Sequence, residues 1–244
     1  MAHLILAFVG LIFAATLAFG QSLGGKALLT TETAVSTAVA FVVDGSNTSQ
    51  PTGTSFTMSV TVSGTHPALV AYIGANMALV DNDITSVSSN VSGNFTEIAH
   101  FRDVQNSLNA FGSIWCLAAP AAGAHTITTT SPNSYIWIGD VAVFKNTDQS
   151  TPCPSGDATG DNSTNSLTIT MTPSNLTSND NSFGGCTSTA GSPTGITQNQ
   201  TVFLNSSTPQ VAIGYSIGTA SIVVTGVGAF NTNHGCATAR VKAG

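Results

Sequence analysis

Hydrophobic and polar residues alternate with a period of two along much of this chain. In SFTMSVTVSG, Phe56, Met58, Val60 and Val62 fall on one side and Thr57, Ser59 and Thr61 on the other, the signature of a half-buried strand. A first strand is predicted around Val39 to Val43, and ALVAYIGA after the alternating stretch reads as a strand apolar on both faces. DITSVSS and FTEIAHF follow. In the densest part of the chain, SIWCLAA, HTITTT and YIWIGDVAVF are separated by PAAGA and SPNS, which have turn chemistry. Strand patterning resumes in LTITMT, weakly around Phe183 to Thr187, and then in TVFL, QVAIGY, SIVVTG and CATARV. No segment carries sustained helical periodicity with caps. Roughly a dozen short strands punctuated by Gly, Pro and Asn predict an all-β fold, an antiparallel β-sandwich of jelly-roll type.

The polar run DQSTPCPSGDATGDNSTNS resembles a linker, but both of its flanks carry the same strand pattern, so it is read as a loop within one domain. A chain of 244 residues with 42% hydrophobic content can bury one substantial core. The expected organisation is a signal peptide over residues 1–20 and a single sandwich over residues 21–244, with its core at about 50–242. The leader MAHLILAFVGLIFAATLAFGQS has an apolar run from Leu4 to Phe19 and small residues Ala18 and Gly20 before Gln21, which predicts cleavage after Gly20. It lacks a Lys or Arg at its start. The alternative is an uncleaved anchor, for which about sixteen apolar residues is short.

Charge narrows the function classes. Lys and Arg number five against eleven Asp and Glu, a net charge of −6, so no basic run is present to neutralise phosphates and nucleic-acid binding is not expected. Charged residues make up only 7% of the chain, and Thr, Ser and Asn keep its surface wet instead, as suits an extracellular β protein. Cys116, Cys153, Cys186 and Cys236 form an even set in a chain predicted to be exported, which makes them disulfide candidates with three full connectivities open. Their wide spacing matches no zinc pattern. Sequons at Asn47, Asn90, Asn94, Asn162, Asn175, Asn199 and Asn205 are glycosylation candidates in a pathway that modifies asparagine.

Three stretches, DITSVSSN, SIWCLAAPAAGAHTITTT and VAVFKNTDQSTP, resemble an uncharacterised jelly-roll-like β-sandwich module of secreted bacterial proteins and phage structural proteins. The resemblance covers about residues 50–242, more loosely in the second half. It implies a packing scheme with a Trp-containing hairpin and no common activity. Cys116 stands where that module more usually has an aromatic residue, and Lys145 and Asn146 also depart from it, so a disulfide at Cys116 would be this chain's own addition.

Several constellations bear on catalysis. GYSIG fits the G-x-S-x-G pattern around Ser216, but the residues that follow read as another strand where a nucleophile elbow needs a helix. His234 lies downstream with no acidic residue between, against the expected order of a triad. Glycoside hydrolysis needs paired carboxylates. Glu32 and Glu97 are the only glutamates, which leaves Asp81 with Asp83, or Asp157 with Asp161. The second pair lies in DATGDN, whose oxygen ligands make Ca²⁺ the one cofactor left open, although no EF-hand pattern is present. His66, His100, His125 and His234 are isolated from one another. Trp115, Trp137, Tyr72 and Tyr135 could form a sugar-stacking platform, but their strand positions place them with apolar neighbours in the core. The sequence therefore predicts a secreted, non-catalytic structural or adhesive protein, self-associating or binding surface glycans through Thr/Ser/Asn-rich loops, with no membrane contact after signal cleavage. The alternative is a carbohydrate-active hydrolase with an Asp-centred site.

Overall fold

The computed structural model describes residues 37–44, 51–77, 84–102, 109–161, 168–189, 192–197, 203–205, 210–227 and 234–244. The predicted signal peptide, Glu32, Asp81, Asp83 and the sequons at Asn47, Asn162 and Asn199 lie outside them. Residues 36–244 form one compact unit. The strands are β1 (Ala40–Asp44), β2 (Thr52–Val62), β3 (Ala68–Met77), β4 (Ser86–Ser89), β5 (Gly93–Asn94), β6 (Thr96–Arg102), β7 (Asn109–Ala118), β8 (Gly123–Lys145), β9 (Thr159–Asp161), β10 (Thr168–Met171), β11 (Asn181–Ser188), β12 (Ser192–Thr197), β13 (Phe203–Asn205), β14 (Gln210–Ile217), β15 (Ile222–Val227) and β16 (His234–Val241). A 3-10 turn, Ser155–Asp157, interrupts them. Among the described residues all pairings within the sheets are antiparallel, and the sheets pack face to face, which bears out the all-β sandwich-like fold.

The strands stack as four layers around three apolar seams. In the first layer β2, the first part of β8, β4 and β5 lie side by side. The second layer contains β1, the rest of β8, β3, β7 and β6. A single strand thus belongs to two layers. SPNS, residues 131–134, is not a hairpin turn: β8 runs on through it, and the register with β2 slips between Gly53 and Ser55 as the chain turns the corner. Nor do β7 and β8 form the hairpin implied by the resemblance. Each pairs elsewhere, and PAAG carries the chain from the second layer to the first.

The first seam gathers Phe56, Met58, Val60 and Val62 of β2 against Leu69, Ala71 and Ile73 of β3, with Trp115 and Trp137. The second seam lies between the other face of the second layer and a five-stranded sheet ordered β13-β14-β11-β16-β9. It holds Val70, Tyr72, Ile114 and Phe144 opposite Phe183, Ile213 and Ala239. The third seam packs Cys186, Cys236 and Ala212 against Ile169, Met171, Ile222 and Val224 of a three-stranded sheet ordered β10-β15-β12. Covered on both faces, β11 is buried at every position, so its alternation is invisible to a hydropathy reading.

Polar struts cross the second seam. The Tyr72 hydroxyl donates to the Gly235 carbonyl at 2.9 Å and bonds the Thr187 hydroxyl at 2.9 Å. Burial pushes this phenol well above its ordinary pKa, so it remains a neutral donor. Glycine makes the approach possible: a Cβ on Gly112 would collide with the Gly235 carbonyl and the Tyr72 hydroxyl. Disulfides complete the frame. Cys186–Cys236 joins directly paired residues of β11 and β16, with a Cα–Cα distance of 4.0 Å. Cys116–Cys153 ties β7 to the polar segment after β8, with a Cα–Cα distance of 6.3 Å.

Candidate functional site

The exposed face of the first layer is built from the polar half of the alternating pattern. With Phe56, Met58 and Val60 buried in the seam, the pleat turns Ser55, Thr57, Ser59 and Thr61 to solvent. On β8, Ile127 and Thr129 are buried, and Thr126, Thr128 and Thr130 lie on the outer side. On β4, Val87 and Ser89 are buried, leaving Ser86 and Ser88 outside. The register then sets these side chains in rows. Ser55 stands beside Thr130 and Thr130 beside Ser86; Thr57 stands beside Thr128, which stands beside Ser88 and then Asn94. Ser59 stands beside Thr126, and Asn90 continues that row, donating its backbone N–H to the Thr126 carbonyl at 3.1 Å and accepting the Thr126 N–H on Oδ1 at 2.8 Å. Sheet geometry spaces the side chains about 4.8 Å apart across the strands and about 6.8 Å apart along them.

No residue of this grid is ionisable. Its hydroxyls bond one another at one end, where Thr130 Oγ1 lies 2.7 Å from Ser86 Oγ and 3.0 Å from Thr85 Oγ1. At the other end is a shallow depression of about 440 Å³ lined by Ser59, Thr61, Asn90, Ala124 and Thr126, with Val60 and His125 at its floor. These Ser, Thr and Asn residues stand on a strand face, where neighbouring strands hold their spacing.

Beneath the grid a hydrogen-bond knot fixes its border. Ser89 Oγ donates to His125 Nδ1 at 2.7 Å, and His125 Nε2–H donates to the Ala121 carbonyl at 2.8 Å. The same serine oxygen accepts the N–H groups of Val91 and Ser92, both at 3.1 Å. Its one donor and two acceptor sites are thus taken. This Ser–His pair braces a turn, with no lone pair left to attack a substrate.

The ionisable candidates are engaged in ion pairs and hydrogen bonds. Asp157 and Asp161, which sequence spacing brought together, face different partners. Asp157 accepts Asn175 Nδ2–H at 2.6 Å and pairs with Arg240 at 2.9 Å. Arg240 reaches Asp180 as well, at 3.0 Å, so one guanidinium pairs with both carboxylates. Burial alone would raise the Asp180 carboxyl, yet bonds from the Ala243 N–H, from Thr177 and from Arg240 outweigh it and hold the group below its ordinary pKa. The same two carboxylates outweigh burial at Arg240 and raise it. Asp148 is held far below the carboxylate range by Lys242, at 2.6 Å, and by Ser150 and Thr151. Asp161 bonds His234 Nε2 at 2.7 Å, and His234 stands directly across from Ser188 on β11. Ser188 and His234 are both fully buried and Asp161 is partly exposed, so the pair ties β9 to the buried end of β16.

The remaining candidates are spread over the core and the surface. Ser216 lies within β14, fully buried, in a strand followed by strand β15 and not by a helix. Glu97 bonds His100 at 2.9 Å. His66 sits in the turn before β3 with φ 45°. Trp115, Trp137, Tyr72 and Tyr135 are buried in the seams, as the strand pattern predicted, and offer no stacking platform. Of the sequons, Asn90 and Asn94 are exposed on the grid, and Asn175 uses its amide nitrogen on Asp157. Among the described residues no group of three or more His, Cys, Asp or Glu is placed to hold a metal. Comparisons with protein-family models, with curated proteins and with solved structures returned no match for this chain.

Proposed function

We propose that this protein is an extracellular structural or adhesive β-sandwich that acts without catalysis, using the hydroxyl-bearing face of its first layer as a contact surface. The observation that carries the reading is that grid: neutral groups able both to donate and to accept hydrogen bonds, held in rows by the strand register. Adhesion needs such a repeated surface more than it needs a perturbed acid or nucleophile. Two disulfides fit an oxidising compartment, and the apolar leader supplies the export route. The resemblance to secreted and virion-associated sandwich modules points the same way.

The test is to purify the exported protein and measure its adsorption to cell-surface material and its particle size by scattering and electron microscopy, alongside an assay for released sugars. Adsorption or ordered assemblies without released product is the expected result. Catalytic turnover of a glycan at Asp157 or Asp161 would overturn the reading in favour of a hydrolase.

A further inference from the structure

We propose that the hydroxyl grid binds a neutral polysaccharide chain, with Asn90 as its directional reader; this rests on the contact-surface reading above and names its ligand. The grid is larger than one sugar. From Ser55 to Thr61 it extends about 20 Å, and it crosses three strands over about 10 Å. A polymer with repeating hydroxyls can use that length, one ring after another.

The chemistry selects against other partners. Nucleic acids need cations to neutralise phosphate, and the grid has none. Protein interfaces centre on aromatic, Met and Arg anchors, which are likewise absent from these rows. A hydroxyl array matches a partner that also presents hydroxyls in mixed donor and acceptor roles. The shallow depression of about 440 Å³ beside Asn90 lies at one end of these rows, next to the amide that would face a sugar ring.

Asn90 supplies the direction. Its Oδ1 is committed to the Thr126 N–H at 2.8 Å, which fixes the amide and leaves Nδ2 as a two-hydrogen donor at the edge of the recess. The other lining residues are Ser59, Thr61 and Thr126, which carry rotatable hydroxyls, with Val60, Ala124 and His125. Replacement by aspartate keeps the acceptor for Thr126 while removing the donor and adding a negative charge.

The experiment uses the full exported protein made without N-glycosylation, because Asn90 is itself a sequon. Retention is measured on cellulose, chitin and linear mannan, on anionic alginate and heparin, and on ice. Thr126→Lys and Asn90→Asp perturb the grid, and Thr170→Lys places the same charge on the exposed side of β10, on the opposite outer layer. Thermal midpoints confirm that each variant is folded. The expected result is retention on at least one neutral polysaccharide, weakened tenfold or more by Thr126→Lys and Asn90→Asp and unchanged by Thr170→Lys. No retention, retention only on anionic polymers, or retention indifferent to the grid variants would overturn the polysaccharide inference. Adsorption to ice alone, lost in the grid variants, would also overturn it while leaving the contact surface standing. Released sugar would overturn the contact-surface reading itself.

Discussion

Two regions of this molecule use polar residues in opposite ways. At the C-terminal corner Asp148, Asp157, Asp180, Arg240 and Lys242 are paired with one another, and Asp180 is buried. On the outer face of the first layer the polar groups are neutral and set in rows. Charge closes the fold at the corner, and hydroxyls face solvent on the first layer. Perturbed ionisable groups often mark functional sites, and those of this corner are paired with one another across the fold.

The strongest way to break the comparison is to remove the covalent part of the frame. Each disulfide closes a long loop, of 37 residues for Cys116–Cys153 and 50 for Cys186–Cys236. Loop-closure entropy assigns each about 4 kcal/mol. Paired Cys→Ala variants should lower the denaturation midpoint accordingly in urea titrations, the Cys186/Cys236 pair slightly more.

Next comes the charged corner. Arg240→Leu leaves Asp157 and Asp180 without their cation, and breaking a buried pair by removing one partner costs about 3–5 kcal/mol. The same titration reads it. An unchanged midpoint would mean that the carboxylates are not held by Arg240.

Acid tests the corner without mutation. The folded carboxyls of Asp148 and Asp180 sit below their ordinary value, so the unfolded chain takes up protons first as the pH falls. Their contribution is complete above about pH 5 and is lost progressively below the unfolded value of about 3.9, until the folded carboxyls themselves protonate. Stability measured by urea titration should therefore decline through this range, and Arg240→Leu should flatten the decline.

The smallest effect on stability belongs to the grid. Thr126 is exposed, and Thr126→Lys should change stability by no more than about 0.5 kcal/mol.

Much of the fold was legible in the sequence because local alternation reports burial directly. Phe56, Met58, Val60 and Val62 went to the seam and Thr57, Ser59 and Thr61 to solvent as their period of two required. Trp115 and Trp137 followed their apolar neighbours into the core. Pairing across distance was not legible. The even cysteine count announced disulfides, but choosing 116 with 153 required knowing that the segment after β8 returns to β7. SPNS looked like a turn because Pro and Asn favour turns, yet tertiary packing carries β8 through it between layers. The candidate site shows the same limit. Its Ser and Thr residues were visible on separate strands, and only the register of β2 and β4 on either side of β8 joins them into a grid. Arg240 carried no local signal, since its partners lie 60 and 83 residues away.

The most direct measurement sets the two regions against each other: binding to a neutral polysaccharide and stability in urea, determined together for Thr126→Lys and Arg240→Leu. The account predicts that Thr126→Lys loses binding at unchanged stability and that Arg240→Leu loses stability while its folded fraction binds normally. Binding that follows Arg240 and ignores Thr126 would contradict it, and would place the contact site at the charged corner.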